Sequence, residues 1–99
     1  MSIAIIHRMP EGFTTEQYDA VNEKAAVTTD PPAGLIHHTV GTSDSGAVMI
    51  DVWESEEAFE SFRDDRLNPA LESIVGTETF AEMPAPEREF YAVHNTVSP

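Results

Sequence analysis

Alternation organises the middle of the chain. Val48, Ile50 and Val52 interleave with Met49, Asp51 and Trp53, the period-two pattern of a strand with two unlike faces, and a strand is expected over 47–54. Ser55 ends it. The Ser55 hydroxyl can accept from the free N–H groups of a following turn, and Glu56 and Glu57 stand where the positive end of a helix dipole favours carboxylates. A helix is therefore expected over 56–66, burying Phe59 and Phe62, with Arg63 and Arg66 near its negative end. Asp51 and Trp53 share one face of the strand. The opposite, aliphatic face is expected to pack on helices, leaving the polar and aromatic face to border a cavity.

The flanking segments complete the pattern. Ile3, Ile5 and Ile6 place a strand over 2–9, closed by Pro10-Glu11-Gly12. Thr14 and Gln17 have the spacing of a capping box, and Tyr18, Val21 and Ala25 recur at i, i+3 and i+7, so a helix is expected from 14 to about 27. The cluster Asp30-Pro31-Pro32-Ala33-Gly34 separates it from a strand over 35–40, and 41–46 forms a hairpin loop into the strand at 47–54. Asn68-Pro69 interrupts the second helix, and Pro69 opens a short helical segment carrying Leu71 and Ile74 up to Gly76. Residues 77–88 are rich in Pro and Glu, with Phe80 and Met83 as isolated anchors, and 89–94 returns as a final strand.

The order is β-α-β-β-α-β. Two right-handed crossovers make this a ferredoxin-like α+β domain spanning 1–99, a four-stranded antiparallel sheet with both helices on one face. A soluble monomer cannot leave the other, uncovered face in water, which predicts a homodimer. Ninety-nine residues exclude two domains. With no cysteine there are no disulfides and no thiolate ligands or nucleophiles, and a reducing cytoplasm is the expected location. The N-terminal residues read as a strand and not as a leader, and no apolar run reaches the length of a membrane span. Eighteen acidic against five basic residues give a formal charge of −13, which excludes nucleic acid and anionic membrane as partners.

Beyond the element order, Pro32-Ala33-Gly34-Leu35-Ile36-His37-His38 and Val52-Trp53-Glu54-Ser55-Glu56-Glu57-Ala58-Phe59 resemble the dimeric α/β-barrel superfamily, and within it the small antibiotic-biosynthesis-monooxygenase-like proteins. The resemblance implies sheets paired face to face into a barrel. Each protomer's uncovered face is then expected to line a cavity, under its own helices or at the dimer seam. It also implies that Trp53 faces that cavity. The family holds cofactor-independent quinone-forming monooxygenases, polyketide cyclases, haem-degrading enzymes and members without assigned activity, so the fold does not choose among them. Haem degraders usually present a histidine from the second helix, and 56–66 has none.

Strand parity decides which of His7, His37, His38 and His94 shares a face with Asp51 and Trp53. With a four-residue loop flanked by Gly41 and Gly46, His38 lies opposite Met49 and Ile36 opposite Asp51, and His38 faces the cavity. A one-residue slip substitutes His37. A histidine beside a carboxylate suits general-base catalysis on a phenol or an acidic C–H, so His38 and Asp51 are the catalytic candidates. The same pair also suits mutual satisfaction in a core or an interface. Trp53 and Met49 form a wall for a flat aromatic ligand, or ordinary core filling. Tyr18 stands above them on the first helix, where its hydroxyl reaches a ligand or a core partner. His37 and His38 are adjacent in a strand and cannot chelate one metal, and no phosphate loop, nucleophile elbow or zinc-protease motif is present. No cofactor is expected. Two functions remain open: a cofactor-independent monooxygenase or cyclase acting on an aromatic or polyketide-like molecule, and a non-catalytic dimeric binding or accessory protein.

Overall fold

The computed structural model describes residues 2–97, so the first residue and the last two of the expected 1–99 domain lie outside the described residues. Strands β1 (Ile3–Arg8), β2 (Leu35–Ser43), β3 (Gly46–Trp53) and β4 (Glu87–Ala92) form one sheet in the order β2-β3-β1-β4, antiparallel throughout. Helix α1 (Thr15–Ala25) follows β1. After β3 come α2 (Glu56–Phe62), a π-helical turn (Arg63–Leu67), α3 (Asn68–Val75) and a short α4 (Thr77–Glu82). This is the ferredoxin-like α+β arrangement. No helix among the described residues is long and apolar enough to cross a membrane.

Local chemistry starts the helices where the spacing predicts. Thr14 Oγ1 accepts from the Gln17 N–H at 3.1 Å while Gln17 Oε1 accepts from the Thr14 N–H at 3.0 Å, a complete capping box. Ser55 caps α2 by accepting from the Ala58 N–H at 3.1 Å. Pro69 does not break the second helix as its sequence suggests. The turn before it widens instead, the Asn68 N–H reaching back to the Arg63 carbonyl, and Pro69, which has no N–H to place, enters the first turn of α3. Two small cores result: Ile5, Trp53 and Phe59 between sheet and α2, and Val21, Ala25 and Ala70 between α1 and α3, with Phe62 packed against both.

Three expectations are corrected. The hairpin is tighter than expected: β2 runs to Ser43, Ser43 pairs with Gly46, and only Asp44 and Ser45 form the turn. His38 therefore lies opposite Asp51 and not Met49. The displacement is two residues, which preserves side-chain parity. Second, the sheet faces are exchanged. Asp51 and Trp53 lie beneath the helices and are buried, whereas the aliphatic face is the open one, where Ile50 is 46% exposed. Period two separates two faces but does not say which one the helices cover. Here the aromatic stripe of α2 supplies Phe59 and Phe62 to pack against Trp53. Third, β4 begins at Glu87, two residues earlier than expected, after a helix that the Pro- and Glu-rich composition of 77–88 conceals.

Gly34 sets the distance between the start of β2 and α2. Its φ is +86°, its carbonyl accepts from the Glu54 N–H at 2.8 Å, and a Cβ there would meet the Ala58 Cβ at 2.6 Å. Gly12 has a similar φ of +91° with nothing within 4 Å of a built Cβ. Gly34→Ala is expected to cost about 3 kcal/mol, combining left-handed strain with a backbone shift, and Gly12→Ala about 1 kcal/mol, strain alone. Urea unfolding of the two variants measures the difference.

Candidate active site

Asp51 stands two residues before the end of β3, with Ile5 of β1 on one side and His38 of β2 on the other. The register brings two imidazoles to one carboxylate. His38 Nδ1 is 2.5 Å from Asp51 Oδ1, and His7 Nε2 is 2.9 Å from Oδ2, which also accepts from Trp53 Nε1–H at 3.3 Å. The chain of bonds continues outward at both ends. His38 Nε2 is 2.6 Å from the Tyr18 hydroxyl on α1, and Arg88 Nε–H of β4 donates to His7 Nδ1 at 3.0 Å.

The donors determine where the protons are. A guanidinium only donates, so His7 Nδ1 must be bare and His7 must be neutral, with its single N–H at Nε2 directed to Asp51. A carboxylate only accepts, so His38 carries its proton on Nδ1. Burial works to raise the Asp51 carboxyl, but the hydrogen bonds that it accepts from His38 and His7 outweigh it and hold the group at about 2. Tyr18 is shifted the other way, by burial first and then by the negative charges of Asp51 and Asp19, so its phenol keeps its proton. With its single proton on Nδ1, a neutral His38 has a bare Nε2 that can accept from the Tyr18 O–H. His38 is an oriented base with its lone pair on a phenolic hydroxyl, and Asp51 is placed to stabilise the imidazolium if the proton transfers.

This row forms the floor of a cavity of about 90 Å3 between sheet and helices, with Met49 and Trp53 beside it and Leu67 and Leu71 above. Tyr18, His38, Met49, Asp51 and Trp53 all line that one cavity. His37 lies on the open face, bonded to Thr39 at 2.8 Å, and His94 is exposed beyond the end of β4. Two members were not among the sequence-derived site residues. His7 alternates with Ile3 and Ile5 toward the helices, a parity signal present in the sequence. Arg88 fell within the expected loop, and only the earlier start of β4 sets it opposite His7. Among the described residues no group of three or more His, Cys, Asp and Glu side chains is disposed to hold a metal ion.

No protein-family model matches the sequence, and no curated protein matches it. Solved structures do share its fold. SnoaB from Streptomyces nogalater, a cofactor-independent oxygenase, is 15% identical, with 99% of this chain and 98% of that one covered at a TM-score of 0.64. The monooxygenase from the gene ActVA-Orf6 of Streptomyces coelicolor, in complex with nanaomycin D, is 22% identical, with 99% and 91% covered and a TM-score of 0.54. A dimeric ferredoxin-like protein of unknown function from Thermobifida fusca is 15% identical, with 94% and 92% covered and a TM-score of 0.58. At these identities the likeness is one of fold, that of the antibiotic-biosynthesis-monooxygenase-like proteins.

Folding lowers the Asp51 carboxyl from 3.8 to about 2. Its contribution to stability, roughly 2 kcal/mol, is complete above the unfolded value and lost as pH falls from about 4 towards 2. Asp51→Asn replaces one acceptor with a donor against two imidazole N–H groups and should cost about 3 kcal/mol near neutrality. Urea unfolding across that acid range should show the wild type losing stability steeply and the variant losing less.

Proposed function

We propose that the chain is a cytoplasmic homodimer that binds a small phenolic aromatic or polyketide-like molecule and oxidises it without a cofactor. The observation that carries this reading is the ordered row Tyr18–His38–Asp51, in which a neutral imidazole with its lone pair on a phenolic oxygen is backed by a buried carboxylate. A substrate phenol donating to the Tyr18 oxygen can pass a proton along the row: Tyr18 releases its own to His38 Nε2 and recovers one from the substrate. Asp51 stabilises the imidazolium, and the substrate becomes a phenolate, an electron-rich anion that O2 can oxidise. The balance for a phenol with a free para carbon is phenol plus O2 to para-quinone plus water. The substrate supplies all four electrons, one oxygen atom enters the ring, and the other leaves as water. Trp53 and Met49 would flank the ring. The fold shared with SnoaB and the nanaomycin D-bound monooxygenase supports the same reaction class.

A second reading is favoured by the size of the cavity. About 90 Å3 is less than the roughly 150 Å3 of an engineered cavity that takes up benzene, so even one ring requires the helices to move apart. Every buried polar side-chain atom among the described residues already has a partner. On this reading the row is a structural tie in a non-catalytic binding or accessory protein. The dimer is common to both. The open face presents Ile50 and Tyr91 to solvent, with Ile36 at its edge, all close to half exposed, and a second copy would cover them.

Oxygen consumption with a panel of naphthols and anthrones separates the two. His38→Ala should reduce turnover by about 100-fold or more, the scale of a lost general base, while the dimer persists in light scattering. Wild-type protein that neither consumes oxygen nor changes its Trp53 fluorescence with any compound supports the structural tie. For the dimer, Ile50→Glu should give a monomer at micromolar concentration, and a wild-type monomer under the same conditions refutes it.

A further inference from the structure

Arg88 is the one arginine among the described residues without a carboxylate partner. Arg8 pairs with Glu89, Arg63 with Asp64 at 3.0 Å and Arg66 with Asp30 at 3.4 Å. In a chain of formal charge −13 an arginine without an acid is a departure that needs a physical reason. Arg88 is half-buried, and its unpartnered Nη donors are still reached by solvent. It lines the cavity, and its guanidinium carbon sits 5.3 Å from the centre of the Phe59 ring. Burial first, and then the nearby Arg63, work against its charge. A guanidinium nevertheless stays ionised, and the partial desolvation is a cost that Asp51 offsets only through space, with no direct ion pair.

One of its donors is committed and the others are not. Nε–H is used on the bare Nδ1 of His7, which fixes the plane of the guanidinium, and neither Nη group has a hydrogen-bond partner among the described residues. Asp51 attracts Arg88 only through space and makes no hydrogen bond to it, its oxygens accepting from His7, His38 and Trp53. A planar fork, held at one edge and free at the other, matches a carboxylate or a comparable delocalised oxyanion. We propose that Arg88 receives the acidic group of the ligand, so that the molecule taken by this cavity is a phenolic acid and not a neutral phenol. The inference deepens the reading of the cavity as a ligand site and rests on it. The acid lies at the Arg88 end, the phenolic hydroxyl at the Tyr18–His38 end, and the His7–Asp51 pair joins the two.

Calorimetric titration with 4-hydroxybenzoate and its neutral isostere 4-hydroxybenzamide tests this on the wild type, Arg88→Gln and Arg88→Lys. Gln can still donate to His7 Nδ1, and Lys keeps the charge without the fork. The acid should bind the wild type about tenfold tighter than the amide or better, the scale of a charge-assisted bond. In Arg88→Gln the ratio should fall to within about twofold with the amide unaffected, and Arg88→Lys should retain part of it. Equal affinity for acid and amide, no binding of the acid, or a preference that survives Arg88→Gln overturns the proposal. If Arg88→Gln does not fold, the wild-type ratio and Arg88→Lys still decide. Arg88-dependent acid binding without oxygen consumption would sink the oxidation chemistry alone, and turnover without acid preference would sink the Arg88 site alone.

Discussion

One buried carboxylate ties three strands together. Asp51 receives His7 from β1, His38 from β2 and the Trp53 indole from its own strand, and each donor is itself held by a packed neighbour. A charge removed from water is stable only if its lone pairs are filled, and here both oxygens are. The consequence spreads outward. Because the carboxylate needs N–H groups from both histidines, their free nitrogens must face away from it, one to Tyr18 and one to Arg88. The tautomer of His7 therefore follows from the charge at the centre and the cation at the edge, and the proton on His38 Nδ1 from the charge at the centre.

The layer above the sheet is built around this row. Phe59 and Phe62 of α2 close over Trp53, and the Phe59 ring also lies against His7 at 5.4 Å between centroids. The π-helical turn then carries the chain from the α2 contacts to those of α3 with α1, and Leu67 at its end enters the cavity roof. A wide turn next to a proline is a place where a helix yields more readily than in its regular parts. The small cavity and this turn belong to one design, in which polar chemistry is sealed by an apolar roof with a built-in discontinuity.

The two sheet faces divide the work. The helix-covered face holds every charged or aromatic group of the row, while the open face is aliphatic along β3, with the His37–Thr39 bond on β2 and the Arg8–Glu89–Tyr91 bonds near β4. In a face-to-face dimer the cavity would remain inside each protomer, and the aliphatic face would serve association alone.

Local chemistry decided much of this protein. The Thr14–Gln17 capping box, the Ser55 cap and the alternation through Met49, Asp51 and Trp53 act over a few residues, and the β-α-β-β-α-β order follows from them. That order and the composition together determined the ferredoxin-like fold. The placement of His38 with Asp51 was also legible, because parity survives a two-residue error in register. The regular register from Ser43↔Gly46 puts His38 under the helices, and the shift between Leu35 and His37 lets Leu35 point there as well. Which face the helices cover, that His7 completes the carboxylate, and that Arg88 reaches His7 across 81 positions of chain were decided only by tertiary structure. Packing compares whole surfaces, and the fit of Phe59 and Phe62 to Trp53 is a property of three elements at once, not of any one of them.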